Sequence, residues 1–233
     1  MKNRILKLYQ LLLKSYGRQG WWPVKASGEN KANYHPGRYS YPENRQQEFE
    51  IMVGAILTQS TSWKNVELAM ENLGKNNLLS PEKIRKCDAK KLARVIRPSG
   101  YHNQKAKKLK AFAEFYLKGK IDRENLLGVW GIGKETADSI MLYARKEPFF
   151  VVDAYTRRVF SRLGLLEGKE GYDSVRGMFE KNLPRRHELH NEYHALIVEH
   201  AKSTCTRIPK CAGCSLKSHC AYYRDIWKPQ QHL

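Results

Sequence analysis

Apolar residues along this chain recur at helical spacing in nearly every segment and alternate in strand fashion almost nowhere, a pattern that predicts an all-α protein. The first stripe is Ile5, Leu8, Tyr9, Leu12 and Tyr16, one face of an amphipathic helix. Phe49, Met52, Val53 and Ile56 form a second, and Val66, Ala69, Met70 and Leu73 a third. Ala106, Leu109, Ala113 and Tyr116 follow, with Asn103 placed to cap their helix. Ala137, Ile140, Met141 and Ala144 come next, and Val175, Met178 and Phe179 belong to a helix that stops before Pro184. The polar, Gly- and Pro-containing stretch from Gly17 to Pro42 reads as a connection, and a second joint falls near Glu147 and Pro148. Repeats of solenoid length are not visible. The predicted organisation is a helical barrel domain at 45–150 and a second helical domain built from 1–44 and 151–233.

Composition narrows the partner. The 233 residues include 42 Lys and Arg against 23 Asp and Glu, a formal charge of +19, with 41% hydrophobic and 11% aromatic content. That apolar share buries a sizeable core and excludes a disordered chain. The basic surplus runs along the whole sequence, which points to a polyanion, nucleic acid ahead of an anionic membrane. Lys7 and Gln10 interrupt the apolar run of the first helix, so it is not read as a signal peptide, and nothing later resembles a membrane span. The expectation is a soluble cytoplasmic monomer. Four of the five cysteines crowd into Cys205 to Cys220, which in a non-secreted chain means metal ligation; Cys87 stands alone as a structural thiol.

The most informative stretch runs from Asn125 to Asp138 and contains Gly131-Ile132-Gly133-Lys134-Glu135. Two glycines that can take φ > 0 let the backbone turn sharply and approach another molecule, while Ile132 plugs the turn between two helices. The turn opens a helix whose first N–H groups suit a phosphate, and Lys134 adds charge. A tight turn between helices has the same pattern, so the following segment, Val151-Val152-Asp153-Ala154-Tyr155-Thr156-Arg157-Arg158, matters. Asp153 is placed to cap the helix that begins at Ala154.

A Gly-hydrophobic-Gly hairpin followed by Val-Asp resembles the helix-hairpin-helix DNA glycosylases of the endonuclease III superfamily, over roughly residues 45–220. The resemblance implies two helical lobes with a DNA-binding cleft between them, base flipping, and base excision repair of double-stranded DNA containing damaged bases. It also implies that Asp153 faces the cleft and assists cleavage of the N-glycosidic bond, where a carboxylate can stabilise the oxocarbenium-like sugar or orient the attacking water. Bifunctional members carry a Lys two residues past the second hairpin glycine; here that position is Glu135, which cannot form a Schiff base. The expected enzyme is therefore a monofunctional hydrolase without AP lyase activity.

Trp21-Trp22-Pro23, Ala55 to Trp63, and Val95 to Lys107 resemble one branch of that superfamily, the bacterial 3-methyladenine DNA glycosylases of the MagIII type. The resemblance makes Trp22 and Trp63 the two sides of a slot for the extruded base, with Pro23 lining it and Glu135 favouring a cationic ring. A positively charged alkylated purine gains a cation–π contribution of roughly 0.5–2 kcal/mol on such aromatics. Gln59 is expected to fill the gap left by the flipped nucleotide, and Tyr101 or His102 to wedge the opposite strand. Lys105, Lys107 and Lys108, with Arg207, Lys210 and Lys217, are assigned to backbone phosphates.

Cys205-x5-Cys211-x2-Cys214-x5-Cys220 presents four thiolates in sixteen residues after the helical run Leu189 to Ala201. Endonuclease III relatives bind a 4Fe-4S cluster with a first gap one residue longer; zinc ribbons use two separated Cys-x2-Cys pairs, so a 4Fe-4S cluster is favoured over Zn. The substrate expected is duplex DNA carrying 3-methyladenine. The rivals are a mismatched or oxidised base, an endonuclease III-like enzyme with AP lyase activity, and a non-catalytic DNA-binding protein. The setting implied is prokaryotic and nucleoid-associated.

Overall fold

The computed structural model describes residues 1–25 and 32–227. Part of the connection predicted from Gly17 to Pro42, namely 26–31, lies outside the described residues. Among those described, helix is the only regular secondary structure, beside one isolated antiparallel bridge between Val24 and Asn33. The α-helices are α1 (Lys2–Tyr16), α2 (Arg45–Leu57), α3 (Trp63–Lys75), α4 (Pro81–Lys86), α5 (Ala89–Val95), α6 (His102–Lys118), α7 (Arg123–Leu127), α8 (Lys134–Ser139), α9 (Ala154–Arg162), α10 (Tyr172–Asn182) and α11 (His187–Ser203). The all-α expectation holds. No helix is long and apolar enough to cross a membrane among the described residues.

The chain forms two compact units. One comprises Met1–Trp21, Tyr34–Tyr39 and Glu147–Leu233; the other comprises Trp22–Asn33 and Ser40–Lys146. Trp22–Asn33 thus groups with the middle helices rather than with the N-terminal helix, a placement set by tertiary contacts of Trp22 that local sequence pattern does not carry.

In the middle unit α2 is the central helix. Asn44 starts it, accepting the Gln47 N–H at 3.0 Å, while the Gln47 side chain accepts the Glu43 N–H at 2.7 Å. Every residue from Ile51 to Leu57 is buried, so the C-terminal half of the helix is covered all round and not along one stripe. Phe49 stacks on Phe112 of α6 at 6.1 Å and meets Tyr116 edge-on at 5.0 Å. The expected cap of α6 shifts: the helix begins at His102, with Tyr101 and not Asn103 at its N-cap, because Tyr101 itself takes a left-handed conformation at φ 44°.

The other unit packs the α1 stripe Ile5, Leu8 and Leu12 against Phe150, Phe160, Phe179 and Tyr193. Phe150 and Phe179 stack at 3.8 Å, and the buried Tyr193 hydroxyl donates to the Ile5 carbonyl at 2.9 Å. Each such aromatic side chain contributes about 2–3 kcal/mol on burial, so the extended segment Phe150–Val152 is anchored from within. Its backbone is satisfied from α10, the Phe150 N–H donating to Glu180 Oε1 at 3.0 Å and the Val152 N–H to the Tyr172 hydroxyl at 3.4 Å.

Candidate functional site

The middle unit holds the hairpin. Asp122 caps α7 by accepting the Asn125 N–H at 2.9 Å, and the turn after it is closed by Ile132 N–H to Val129 O at 3.1 Å. Ile132 and Val129 are buried, while Trp130 between them is 56% exposed. Gly131 alone takes the left-handed conformation, at φ +85°; Gly133 is extended at φ −93° and serves as the N-cap of α8. A Cβ on Gly131 would come within 2.5 Å of Lys108 Cγ, whereas one on Gly133 would meet nothing within 4 Å. The second glycine is thus not demanded by the fold and leaves bare backbone facing outward. Arg123 Nε holds the fully buried Asp138 carboxylate at 2.6 Å, tying α7 to α8 across the turn. Lys134 and Glu135 are exposed on the first turn of α8.

Gln59 braces this turn. Its Nε2 donates to Gly131 O at 3.1 Å and to Thr136 Oγ1 at 3.0 Å, and its Oε1 accepts from Lys108 Nζ. Lys105 departs from its expected role: only 2% exposed, it donates to Leu57 O at 2.8 Å and Ser99 O at 2.6 Å. Burial, then the charge of Lys108, brings its pKa down to about 8. A lysine enclosed in this way does not reach a phosphate, and Lys108 is committed to Gln59; of the three lysines assigned there, Lys107 is exposed. Ser99 and the left-handed Gly100 (φ 67°) lead into Tyr101, 72% exposed and also left-handed, with His102 half-buried behind it. A bulky side chain in that conformation stores strain of about 1–3 kcal/mol.

Trp22 lies over the middle of α2, where Gly54 makes room; a Cβ there would sit 3.1 Å from the indole. The Trp22 ring meets Trp63 at 5.1 Å and Tyr143 at 5.2 Å, both edge to face, with interplanar angles of 84° and 63°. Pro23 is buried beside it in sequence. The two tryptophans touch one another rather than standing parallel with a base-wide gap between them. Tyr143, which sequence reasoning did not assign to the cluster, comes from a π-helical turn at Ile140–Ala144 that continues α8. Such widened turns recur at functional sites.

The other unit carries Asp153, which caps α9 with Oδ1 accepting the Thr156 N–H at 2.7 Å. Its Oδ2 lies 3.5 Å from His194 Nε2 of α11. Burial alone would raise this carboxyl; His194 and the Thr156 amide outweigh it and hold the pKa below the ordinary aspartate value. The group is an oriented carboxylate at neutral pH.

Cys205, Cys211, Cys214 and Cys220 line one pocket together with Val159, Arg162, Leu163 and His200. Burial pushes the Cys214 thiol up to about 11, and the neighbouring cysteines add to it. Arg162 Nη1 donates to Cys205 O at 3.3 Å, to Cys205 Sγ at 3.3 Å and to Thr206 O at 2.6 Å; Arg158 Nε donates to Cys205 O at 3.0 Å. His200 Nε2 lies 3.8 Å from Cys214 Sγ, and Tyr16 bonds its Nδ1 at 2.8 Å. Four thiols on one apolar-walled cavity, their loop pinned by arginines, are a donor set suited to a soft metal centre. No group of three or more His, Cys, Asp or Glu side chains among the described residues is arranged to hold a single metal ion. Lys217 bonds Ala212 O at 3.0 Å within the loop, while Arg207 and Lys210 are exposed.

A helical protein with a Gly-Ile-Gly hairpin, a capping Asp and a four-cysteine loop falls in the helix-hairpin-helix class of DNA repair enzymes. Residues 53–185 match the HhH-GPD superfamily base excision DNA repair protein model, and the chain belongs to that family. It is a DNA glycosylase of the endonuclease III-like superfamily. It is 44% identical over 230 residues to the protein named "Putative DNA repair glycosylase MJ1434" of Methanocaldococcus jannaschii, covering 93% of this chain and 95% of that one. It is 31% identical over 187 residues to endonuclease III of Sulfolobus acidocaldarius, covering 76% and 83%. Among solved structures, H. pylori 3-methyladenine DNA glycosylase (MagIII) bound to 1,N6-ethenoadenine has a TM-score of 0.67 at 30% identity, covering 85% and 97%. A non-covalent endonuclease III–DNA complex has a TM-score of 0.80 over 98% and 99% of the chains; at 18% identity this is a likeness of fold.

Proposed function

We propose that this chain is a monofunctional, water-using glycosylase that releases alkylated purines, chiefly 3-methyladenine, from double-stranded DNA. The observation that carries the reading is Asp153: a largely enclosed, ionised carboxylate with one oxygen fixed by the helix cap. As the bond between C1′ and the base nitrogen breaks, its electron pair leaves with the base; the carboxylate offsets the charge growing on the sugar. A water oxygen then bonds C1′ and its proton passes to the carboxylate. Glu135 at the lyase position supports hydrolysis without strand cleavage. Trp22, Trp63 and Pro23 form the base pocket in this reading, with Glu135 attracting a cationic base. Gly131, Gly133 and Lys134 take a phosphate, Gln59 braces the turn that presents them instead of filling the vacated stack, and Tyr101, the more exposed of the candidate pair, is the wedge. The likeness to MagIII at 30% identity supports an alkylpurine substrate.

Cys205, Cys211, Cys214 and Cys220 would hold a 4Fe-4S cluster, which when bound cross-links the loop and contributes electron-transfer capacity. Iron and acid-labile sulfide in the purified brown protein support this; stoichiometric zinc alone refutes it.

The decisive assay is release of free 3-methyladenine from methylated duplex DNA by the parent and by Asp153→Asn. The parent releases the base and the variant does not. Activity on mismatched or oxidised bases only overturns the substrate, and a borohydride-trapped adduct with strand scission overturns the monofunctional reading.

A further inference from the structure

We infer that His194 is a positioning residue for the Asp153 carboxylate, fixing through Oδ2 the orientation that the helix cap fixes through Oδ1. The inference rests on the reading of Asp153 as the acting group. Both side chains are largely enclosed, 12% exposed for His194 and 14% for Asp153, with Nε2 and Oδ2 at 3.5 Å. Thr156 N–H bonds the other oxygen at 2.7 Å.

His194 is not an isolated histidine on α11. His187, His190 and His194 follow at i, i+3 and i+7 and share one helix face. The His190 ring seats edge-on against Phe150 at 5.7 Å. This face therefore runs along the buried segment Phe150–Val152 and meets Asp153 where that segment ends. Glu180 and Tyr172 of α10 hold the same segment by the N–H groups of Phe150 and Val152, so the backbone leading into Asp153 is held as well as its side chain.

The residue type fits the task. A carboxylate held by one oxygen alone can still turn about Cβ–Cγ, and a second contact on Oδ2 removes that freedom before the substrate arrives. An arginine or lysine in this place would also neutralise the charge that must face the oxocarbenium-like sugar. The imidazole presents a single ring nitrogen, Nε2, to Oδ2 from the packed face of α11.

The test is single-turnover base release, with enzyme in excess, on whichever lesion of an alkylated, oxidised and mismatched duplex panel the parent processes. His194→Leu slows the chemical step by about tenfold or more, with duplex affinity and unfolding midpoint unchanged. His194→Gln, whose amide N–H can still donate, restores the rate to within about threefold of the parent. Adding His194→Leu to Asp153→Asn slows nothing further. A His194→Leu rate equal to the parent's overturns the inference, as does a Gln variant as slow as the Leu variant or a rate loss that tracks lost affinity or stability. Asp153→Asn at parental rate instead overturns the underlying carboxylate reading, whatever position 194 does.

Discussion

Lys105 offers a quantitative check on the interior of the middle unit. Its ammonium is buried against the carbonyls of Leu57 and Ser99, and its pKa of about 8 lies below the ordinary lysine value of 10.5. Because the unfolded chain binds this proton more tightly, the native state pays an electrostatic penalty that is full below pH 8 and vanishes as pH rises past 10.5. The difference of about 2.5 units corresponds to about 3.4 kcal/mol, of which about 2.5 kcal/mol is recovered between pH 7 and pH 10. Urea unfolding of the parent and of Lys105→Met across that range isolates the effect, since every other group titrates in both proteins. The stability of the parent relative to the variant should climb by about 2.5 kcal/mol, or about 5–10 °C in Tm for a chain of this size. Parallel pH curves would refute the assignment of Lys105 as a buried ammonium. The same substitution frees the Ser99 carbonyl, so it should also loosen the corner that presents Tyr101.

The two hairpin glycines should separate folding from binding. Gly131→Ala costs about 1–2 kcal/mol of stability from its positive φ and displaces Lys108, whereas Gly133→Ala leaves the midpoint unchanged, and both weaken binding to a non-specific duplex; a Gly133→Ala protein with parental affinity would show that the bare backbone contacts nothing. Tyr101→Gly should stabilise the fold by about 1 kcal/mol through relief of its left-handed strain while slowing base extrusion, measured with a fluorescent base analogue beside the lesion; equal extrusion rates would remove Tyr101 as the wedge.

Much of the molecule was legible because its signals are local. Stripes such as Ile5, Leu8 and Leu12 report a buried face directly, the Gly131 turn follows from backbone sterics, and Asp153 announced itself as a cap three residues before its amide partner. The cysteine loop is visible because its four donors lie close in sequence. What was missed depends on long-range packing. Lys105 reads as a surface cation until the ends of α2 and of the Ser99 turn converge on it. His194 lies on a different helix from Asp153, and only the packing of α9 on α11 brings them together. The edge-to-face meeting of Trp22 and Trp63 is likewise a property of ring orientation, which periodicity does not encode.

Gly54 carries a further consequence. It sits in the fully covered C-terminal half of α2, where glycine costs about 1 kcal/mol relative to alanine, and the space left by its missing methyl is filled by the Trp22 indole. The depth at which that ring rests is therefore dictated by the rigid scaffold and not by the loop that bears it. Anyone seeking to retune the aromatic recess, by design or by directed evolution, has a lever one carbon atom long at position 54, where alanine would lift the indole by a few tenths of an ångström and leave the loop sequence untouched.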